Sequence, residues 1–300
     1  MKKKVMKEST AWQIGAHTVM IIGSLLAILP FILLVIASFT DNQTALVNGY
    51  SFTPEKWSLE AYQYIASEWA TIGRAYLITI LVTVIGTALS LVITSTFAFA
   101  VSNDKLPGHK ILMFLCIFTM LFNGGLVASY YVYSNIFHIK NTIWALIVPT
   151  FLMSPFNVVL VKNYFSNSIS PSILEAARMD GAGVFAVFTK IVMPLSVPIM
   201  ATVGLMTAIG YWNDWTNGLY YLTENGGSQY YTIQLVLNRI NENINFLANN
   251  SDVAAKAAQQ LPSTTMRMAI AVIGILPIMC AYPFFQKYFV KGITLGGVKE

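Results

Sequence analysis

Six stretches of this chain contain no Asp, Glu, Lys or Arg and are mostly apolar: residues 9–40, 75–103, 111–139, 141–161, 191–213 and 268–286. Each exceeds the roughly 18 residues that mark a candidate membrane crossing, since a helix covers the hydrocarbon core with about 20. In lipid the backbone must satisfy its own polar groups, so such runs point to helices. The rival, a set of very apolar soluble core helices, fails on supply. Charged residues are only 10% of the 300 and apolar ones 56%, whereas a soluble domain is about 25% charged. The same numbers exclude a disordered chain. Cys116 and Cys280 are the only cysteines, so a disulfide-stapled secreted fold is excluded. The net charge of +5 is not gathered on a basic face, which argues against nucleic-acid binding. An all-α integral membrane protein with six transmembrane helices is expected.

Lys2, Lys3, Lys4 and Lys7 precede the first run, as in a signal peptide. A signal core is only about 7–15 residues; this run is longer and ends in no small-residue cleavage pattern, so a retained span is expected. Orientation follows the basic residues. With the N-terminus inside, segments 1–8, 104–110, 162–190 and 287–300 hold twelve Lys and Arg, against six on the other side. Both termini are therefore expected in the cytoplasm. Trp57, Trp69, Tyr76, Tyr130, Tyr131, Tyr133, Tyr211, Trp212, Trp215, Tyr220 and Tyr221 then cluster at outer span ends, where amphipathic rings favour the headgroup level. Seven prolines lie inside the runs: Pro30, Pro149, Pro155, Pro194, Pro198, Pro277 and Pro283. Each would break a soluble helix; in a membrane bundle neighbouring groups can satisfy the freed carbonyls.

The connections carry further signals. In the outer loop 41–74, Ser58 can cap a helix with Glu60 in its first turn, and Leu59, Tyr62, Ile65, Trp69 and Ile72 recur at helical spacing. A short amphipathic helix leading into the second span is expected, lying at the membrane interface or packed on the bundle. The outer loop 214–267 is the longest connection, with Gly226-Gly227-Ser228 and the polar stretch from Asn241 to Asn245; long loops are often functional. In the inner loop 162–190, Ser170 is a good N-cap, Pro171 a good first helical residue and Gly181 a good terminator. A short bounded helix over 171–180 is expected, followed by a second from about Gly183 with Phe185, Phe188 and Ile191 on one face. Together they make either a rigid knob able to sit in another protein's groove or a plain solvated connector.

Several chemistries lack residues. No phosphate-binding G-x-x-x-x-G-K-[ST] loop and no G-x-S-x-G elbow occurs. His17, His109 and His138 are the only histidines and form no ligand pattern, so no metal site is expected. Few ionisable groups lie inside the runs; Asp214, at the end of the fifth, is the nearest candidate for ion coupling.

Glu175-Ala176-Ala177, Asp180-Gly181-Ala182 and then Pro194 resemble the EAA motif of ABC-importer permease subunits. The segment from Phe285 to Thr294, with Trp212-Asn213-Asp214, is similar to sugar-importer permeases of the maltose type. Pro262, Met266-Arg267-Met268-Ala269 and the tail through Lys299 look closest to the branch serving complex oligosaccharides, although Glu300 stands where that branch ends in glycine. The resemblance covers roughly residues 7–300. It implies the type I ABC importer permease fold: a tail, first span and outer loop (1–74), a core transmembrane domain (75–286) holding the coupling loop, and a cytoplasmic tail (287–300).

It also implies a function. A non-catalytic permease subunit in a prokaryotic cell membrane would pair with a second homologous permease subunit, two ATP-binding subunits that hold ATP and Mg, and an extracellular solute-binding protein. It would move a sugar, an oligosaccharide in that branch, by alternating access. Glu175 would tether the ATPase, Ala176 and Ala177 would allow close approach, Asp180 would steady the loop and Gly181 would set its bend, with Ala182 completing the coupling segment. Trp212, Asn213 and Asp214 would be candidate solute contacts. The rival functions are a permease for a non-sugar solute, a polytopic membrane enzyme, for which no catalytic cluster is found, and an ion-coupled carrier.

Overall fold

A computed structural model describes residues 10–249, 265–280 and 283. They fall in two compact units, one drawn from Met1–Glu68 and Asn241–Leu276, the other from Trp69–Ile240 and Pro277–Glu300. Helices dominate; among the described residues the only extended pairing is an isolated bridge between Thr40 and Trp57.

In the first unit α1 (Thr10–Ser38) runs unbroken past Pro30, which fits the first expected span. At about 1.5 Å per residue it is long enough to cross a bilayer. None of its apolar window is buried within the chain, a pattern that requires lipid or another protein around it. The chain then folds back on its end. Phe39 stacks on Tyr62 at 4.7 Å, and the hydroxyls of Ser38 and Tyr62 are hydrogen-bonded at 2.8 Å. Asp41 caps α2 (Asn42–Asn48) through the Thr44 N–H and accepts from Lys56 Nζ at 2.9 Å. The expected amphipathic helix is α3 (Glu60–Ser67), its N–H of Glu60 donating to Ser58 Oγ.

The second unit is built on α4 (Trp69–Val101), free of proline and 33 residues long. Its buried stripe reads Ala75, Thr79, Val82, Gly86, Ser90, Thr94, Ala98 and Val101. Small and hydroxylated residues at three- and four-residue spacing let other helices approach closely. A Cβ on Gly86 would lie 2.5 Å from the Tyr211 ring, so only glycine fits there.

The third, fourth and fifth expected spans are not single helices. The run 111–139 divides into α5 (His109–Leu121) and α6 (Gly125–Tyr131, continued by a π-helical turn Val132–Ile136), bent by 119°. At the bend Asn123 Oδ1 accepts the Gly125 N–H at 2.8 Å, and Gly125 adopts φ +81°. The run 141–161 keeps only α7 (Trp144–Ile147) before the chain opens and α8 (Pro155–Ser168) begins. Here neighbouring side chains satisfy the freed carbonyls: Tyr211 Oη donates to Ile147 O at 2.8 Å and Ser90 Oγ to Phe151 O at 3.0 Å.

After α9 (Pro171–Met179) come α10 (Val184–Val187), a π-helical turn (Phe188–Val192) and α11 (Met193–Leu195). A 79° bend at Ser196 then separates them from α12 (Val197–Asn213). Pro194 and Pro198 flank that bend and withhold two backbone donors. The 214–267 connection is largely helical where it is described: α13 (Thr216–Tyr221), α14 (Glu224–Gly227) and α15 (Ile233–Asn249). The polar stretch 241–245 thus lies in a helix rather than a loop. The sixth run begins as α16 (Thr265–Cys280); Pro262, the segment from Phe285, the 287–300 tail, Glu300 and Lys2 to Lys7 lie outside the described residues.

Candidate functional site

The EAA segment forms a sharply closed knob. In α9 (Pro171–Met179), Ser170 occupies the N-cap with extended backbone. Its hydroxyl pairs with Ser172 Oγ at 2.7 Å instead of capping a backbone N–H as expected from the sequence. The C-terminal end is a complete Schellman closure. The Gly181 N–H donates to Arg178 O at 3.0 Å and the Ala182 N–H to Ala177 O at 2.9 Å, with Gly181 at φ +79°. Asp180 is the C-cap, one residue beyond which the helix cannot continue. Leu174, Ala177, Ala182 and Phe188 pack on a core that includes Val158, Val161, Phe165, Ile169, Val187 and Val192, and Phe188 meets Phe99 at 5.1 Å.

The outward side of the knob is chemically different. Ile173, Met179, Val184 and Phe185 are exposed, Met179 by 88% and Phe185 by 78%. Glu175, Ala176 and Asp180 are exposed between them, and Glu175 makes no ion pair among the described residues. A rigid apolar patch around an uncommitted carboxylate is suited to a protein partner.

At the other end of α12, Trp212, Asn213 and Asp214 face three environments. Trp212 is buried, tilted against Tyr76 at 6.3 Å, and lines an apolar cavity of about 460 Å³ with Ile80, Val84, Leu205 and Ile209. Asn213 is exposed and its Nδ2 donates to Ile209 O in its own helix. Asp214 is buried, and its Oδ1 accepts the N–H groups of Thr216 and Asn217 at 3.0 and 3.2 Å, so it caps α13. Tyr211, grouped by sequence with the outer aromatic belt, is a core residue with 1% exposure.

A second cavity, which the sequence reading did not mark, lies beyond α12. It measures about 440 Å³ and is lined by Tyr133, Tyr220 and Tyr221, by Asn123, Ser129 and Thr150, and by Thr216 and Asn217 of α13. Tyr221 lies edge-on to Tyr133 at 5.9 Å and stacks on Tyr130 at 5.8 Å. Thr150 holds φ +69°, a conformation a β-branched residue takes only under constraint; its hydroxyl donates to Asn217 Oδ1 at 3.3 Å. The sequence signal for this cavity is the Asn123-Gly124-Gly125 punctuation inside an apolar run. No cluster of three or more metal-ligating side chains occurs among the described residues.

Residues 13–295 match the family described as binding-protein-dependent transport system inner membrane component. The chain belongs to that family. It is 37% identical over 276 residues to the polygalacturonan/rhamnogalacturonan transport system permease protein YtcP of Bacillus subtilis, covering 92% of this chain and 94% of that one. It is 27% identical to the arabinooligosaccharides transport system permease protein AraQ of Halalkalibacterium halodurans, covering 91% and 92%. A chain from the crystal structure of a bacterial ABC transporter involved in import of the acidic polysaccharide alginate superposes with TM-score 0.78 at 28% identity, covering 93% of this chain and 96% of that one. The fold is thus that of a type I importer permease, and the protein is an inner-membrane permease component of an ABC importer. Its work requires a solute-binding protein and an ATPase as partners.

Proposed function

We propose that this chain is the non-catalytic translocation subunit of an ATP-driven sugar importer, moving an oligosaccharide inward by alternating access. The similarity to permeases named for polygalacturonan/rhamnogalacturonan and for arabinooligosaccharides, over nine-tenths of the chain, supports the substrate class. In this reading the chain crosses the membrane six times with both termini in the cytoplasm. It pairs with a second homologous permease subunit above two ATPase subunits, which hold the ATP and Mg, and receives solute from the extracellular binding protein.

The observation that carries the coupling mechanism is the Schellman-closed α9 with its exposed Glu175. Closure of an ATPase pair can move a permease only through a contact that does not yield, and a helix fixed at its end and packed on the core transmits displacement better than a loop. Glu175 is the tether, Ala176 permits close approach, Ala177 and Ala182 seal the knob to the core, Asp180 steadies the turn and Gly181 sets it. The test is the assembled complex in proteoliposomes, offered oligosaccharides from a pectin and arabinan digest together with its binding protein. ATP-dependent uptake is expected, lost in Glu175→Ala. Uptake without the ATPase, or unchanged uptake and stimulated ATP hydrolysis in Glu175→Ala, would refute the assignment.

A further inference from the structure

We infer that the cavity lined by Tyr133, Tyr220 and Tyr221 is a subsite on this chain for an uncharged sugar ring; the inference rests on the sugar-importer reading above. Of the two cavities described above, the one touched by Trp212 has an almost wholly apolar wall. Apart from the hydroxyls of Thr83 and Thr87 it offers a hydroxylated solute little to replace its lost water, and burying such groups unpaired is costly. The tyrosine-lined cavity has the opposite make-up. Sugar rings present apolar C–H faces and a hydroxyl edge. Aromatic faces suit the former, and carboxamides and hydroxyls, which both donate and accept, suit the latter. Tyr220 and Tyr133 supply rings, and Asn123, Ser129 and Thr150 supply the polar edge. Its volume of about 440 Å³ falls within the roughly 300–1,000 Å³ typical of ligand pockets. The lining contains no Lys, Arg, Asp or Glu, so nothing there would balance the carboxylate of a uronic acid.

The wall is also held in place. Thr150 keeps φ +69° while bonded to Asn217, and the Asn217 N–H is bonded to the buried Asp214 carboxylate. Backbone constraint of this kind clusters at ligand clamps. Trp212, Asn213 and Asp214 then stand outside the subsite: Asp214 is a positioning residue that acts through α13.

The experiment is saturation-transfer NMR on the intact complex in nanodiscs. The probes are neutral raffinose and anionic trigalacturonate; the variants are Tyr220→Leu and Tyr220→Phe. Tyr220 is 38% exposed, so leucine there leaves the core intact. Raffinose should give transfer with the unaltered complex and with Tyr220→Phe, reduced about three- to tenfold in Tyr220→Leu, and trigalacturonate should give less. The proposal is overturned by absence of a raffinose signal, by an undiminished signal in Tyr220→Leu, or by equal or stronger trigalacturonate transfer. Failure of Tyr220→Leu to co-purify with its partners would also overturn it, marking the face as a subunit contact. If unaltered proteoliposomes import a sugar while these results are negative, only the subsite falls; if they import none, the importer reading falls with it.

Discussion

Gly181 is the point at which the knob is most exposed to a single substitution. It holds φ +79°, and a Cβ added there would meet nothing within 4 Å. A substitution therefore creates no collision, and its whole cost is conformational. For an L-residue in the left-handed region that cost is about 1–2 kcal/mol; it is greatest for a β-branched residue and least for Asn. The order of disturbance should be Val, then Ala, then Asn. The bonds at risk are those from the Gly181 and Ala182 N–H groups to Arg178 O and Ala177 O. Weakening the closure by about 1–2 kcal/mol raises its open population roughly 5- to 30-fold. Hydrogen exchange of the 176–186 peptide in the assembled complex should show that rise for Gly181→Val and a much smaller one for Gly181→Asn, with co-purification of the ATPase falling in the same order. Equal exchange in the Val and Asn variants would refute the argument from backbone conformation.

Three further outcomes are expected elsewhere. Gly86→Ala places a methyl group 2.5 Å from the Tyr211 ring and should cost about 1–3 kcal/mol, read as a lowered midpoint in thermal unfolding of the detergent-solubilised chain; an unchanged midpoint would contradict the packing. Asp214→Asn retains an oxygen to accept the Thr216 and Asn217 N–H groups and should transport normally, whereas Asp214→Ala should lose about 1 kcal/mol of capping; if Asn behaves like Ala, the negative charge itself is needed. The Lys56 ammonium bonded to Asp41 holds that carboxyl below its ordinary range. Its stabilising contribution is therefore intact above about pH 3.9 and lost as pH falls through the depressed folded value. Asp41→Asn should remove that portion of the acid sensitivity in a pH series of melts, and an identical acid profile would sink the assignment.

The parts of this fold written in local signals were legible from sequence. Residues 75–101 contain neither proline nor a cluster of glycines and form one helix. Ser170-Pro171 and Gly181 bracket α9 within one residue of expectation. The broken runs were not legible, because counting apolar side chains ignores where backbone groups find partners. The opening after α7 depends on Ser90 and Tyr211, 61 and 64 residues away in sequence. The local signal for the break in 111–139 is Asn123-Gly124-Gly125, which a count of uncharged residues does not see. α15 was hidden by its asparagines, although Ile233, Val236, Leu237, Ile240 and Ile244 keep a helical period. Tyr211 could not be told from a belt residue, since its core position depends on Gly86 standing opposite.

The two sites lie along one stretch of chain, which makes their relation testable. From α9 the chain passes through α10, the π-helical turn and α11 to the bend at Ser196, then through α12 to the Asp214 cap and α13. The knob is packed on the core cluster, and α12 packs along α4. Between them Ser196 is wholly buried with a hydroxyl that finds no partner among the described residues, flanked by prolines that cannot complete the ladder. Few backbone bonds cross that joint: the Ser196 N–H reaches Met193 O at 3.1 Å and the Met200 N–H reaches Ser196 O at 3.0 Å, while Tyr164 Oη donates to Leu195 O beside it. Our hypothesis is that the joint decides how knob displacement reaches the cavity. Linkage makes the effect reciprocal: whatever factor ATPase closure imposes on sugar affinity, sugar must impose on closure. Restoring one helical donor with Pro198→Ala should stiffen the joint and alter both factors equally while leaving assembly intact. If nucleotide changes raffinose binding by the same factor in this variant as in the unaltered complex, the bend is only a packing feature and the coupling runs by another route.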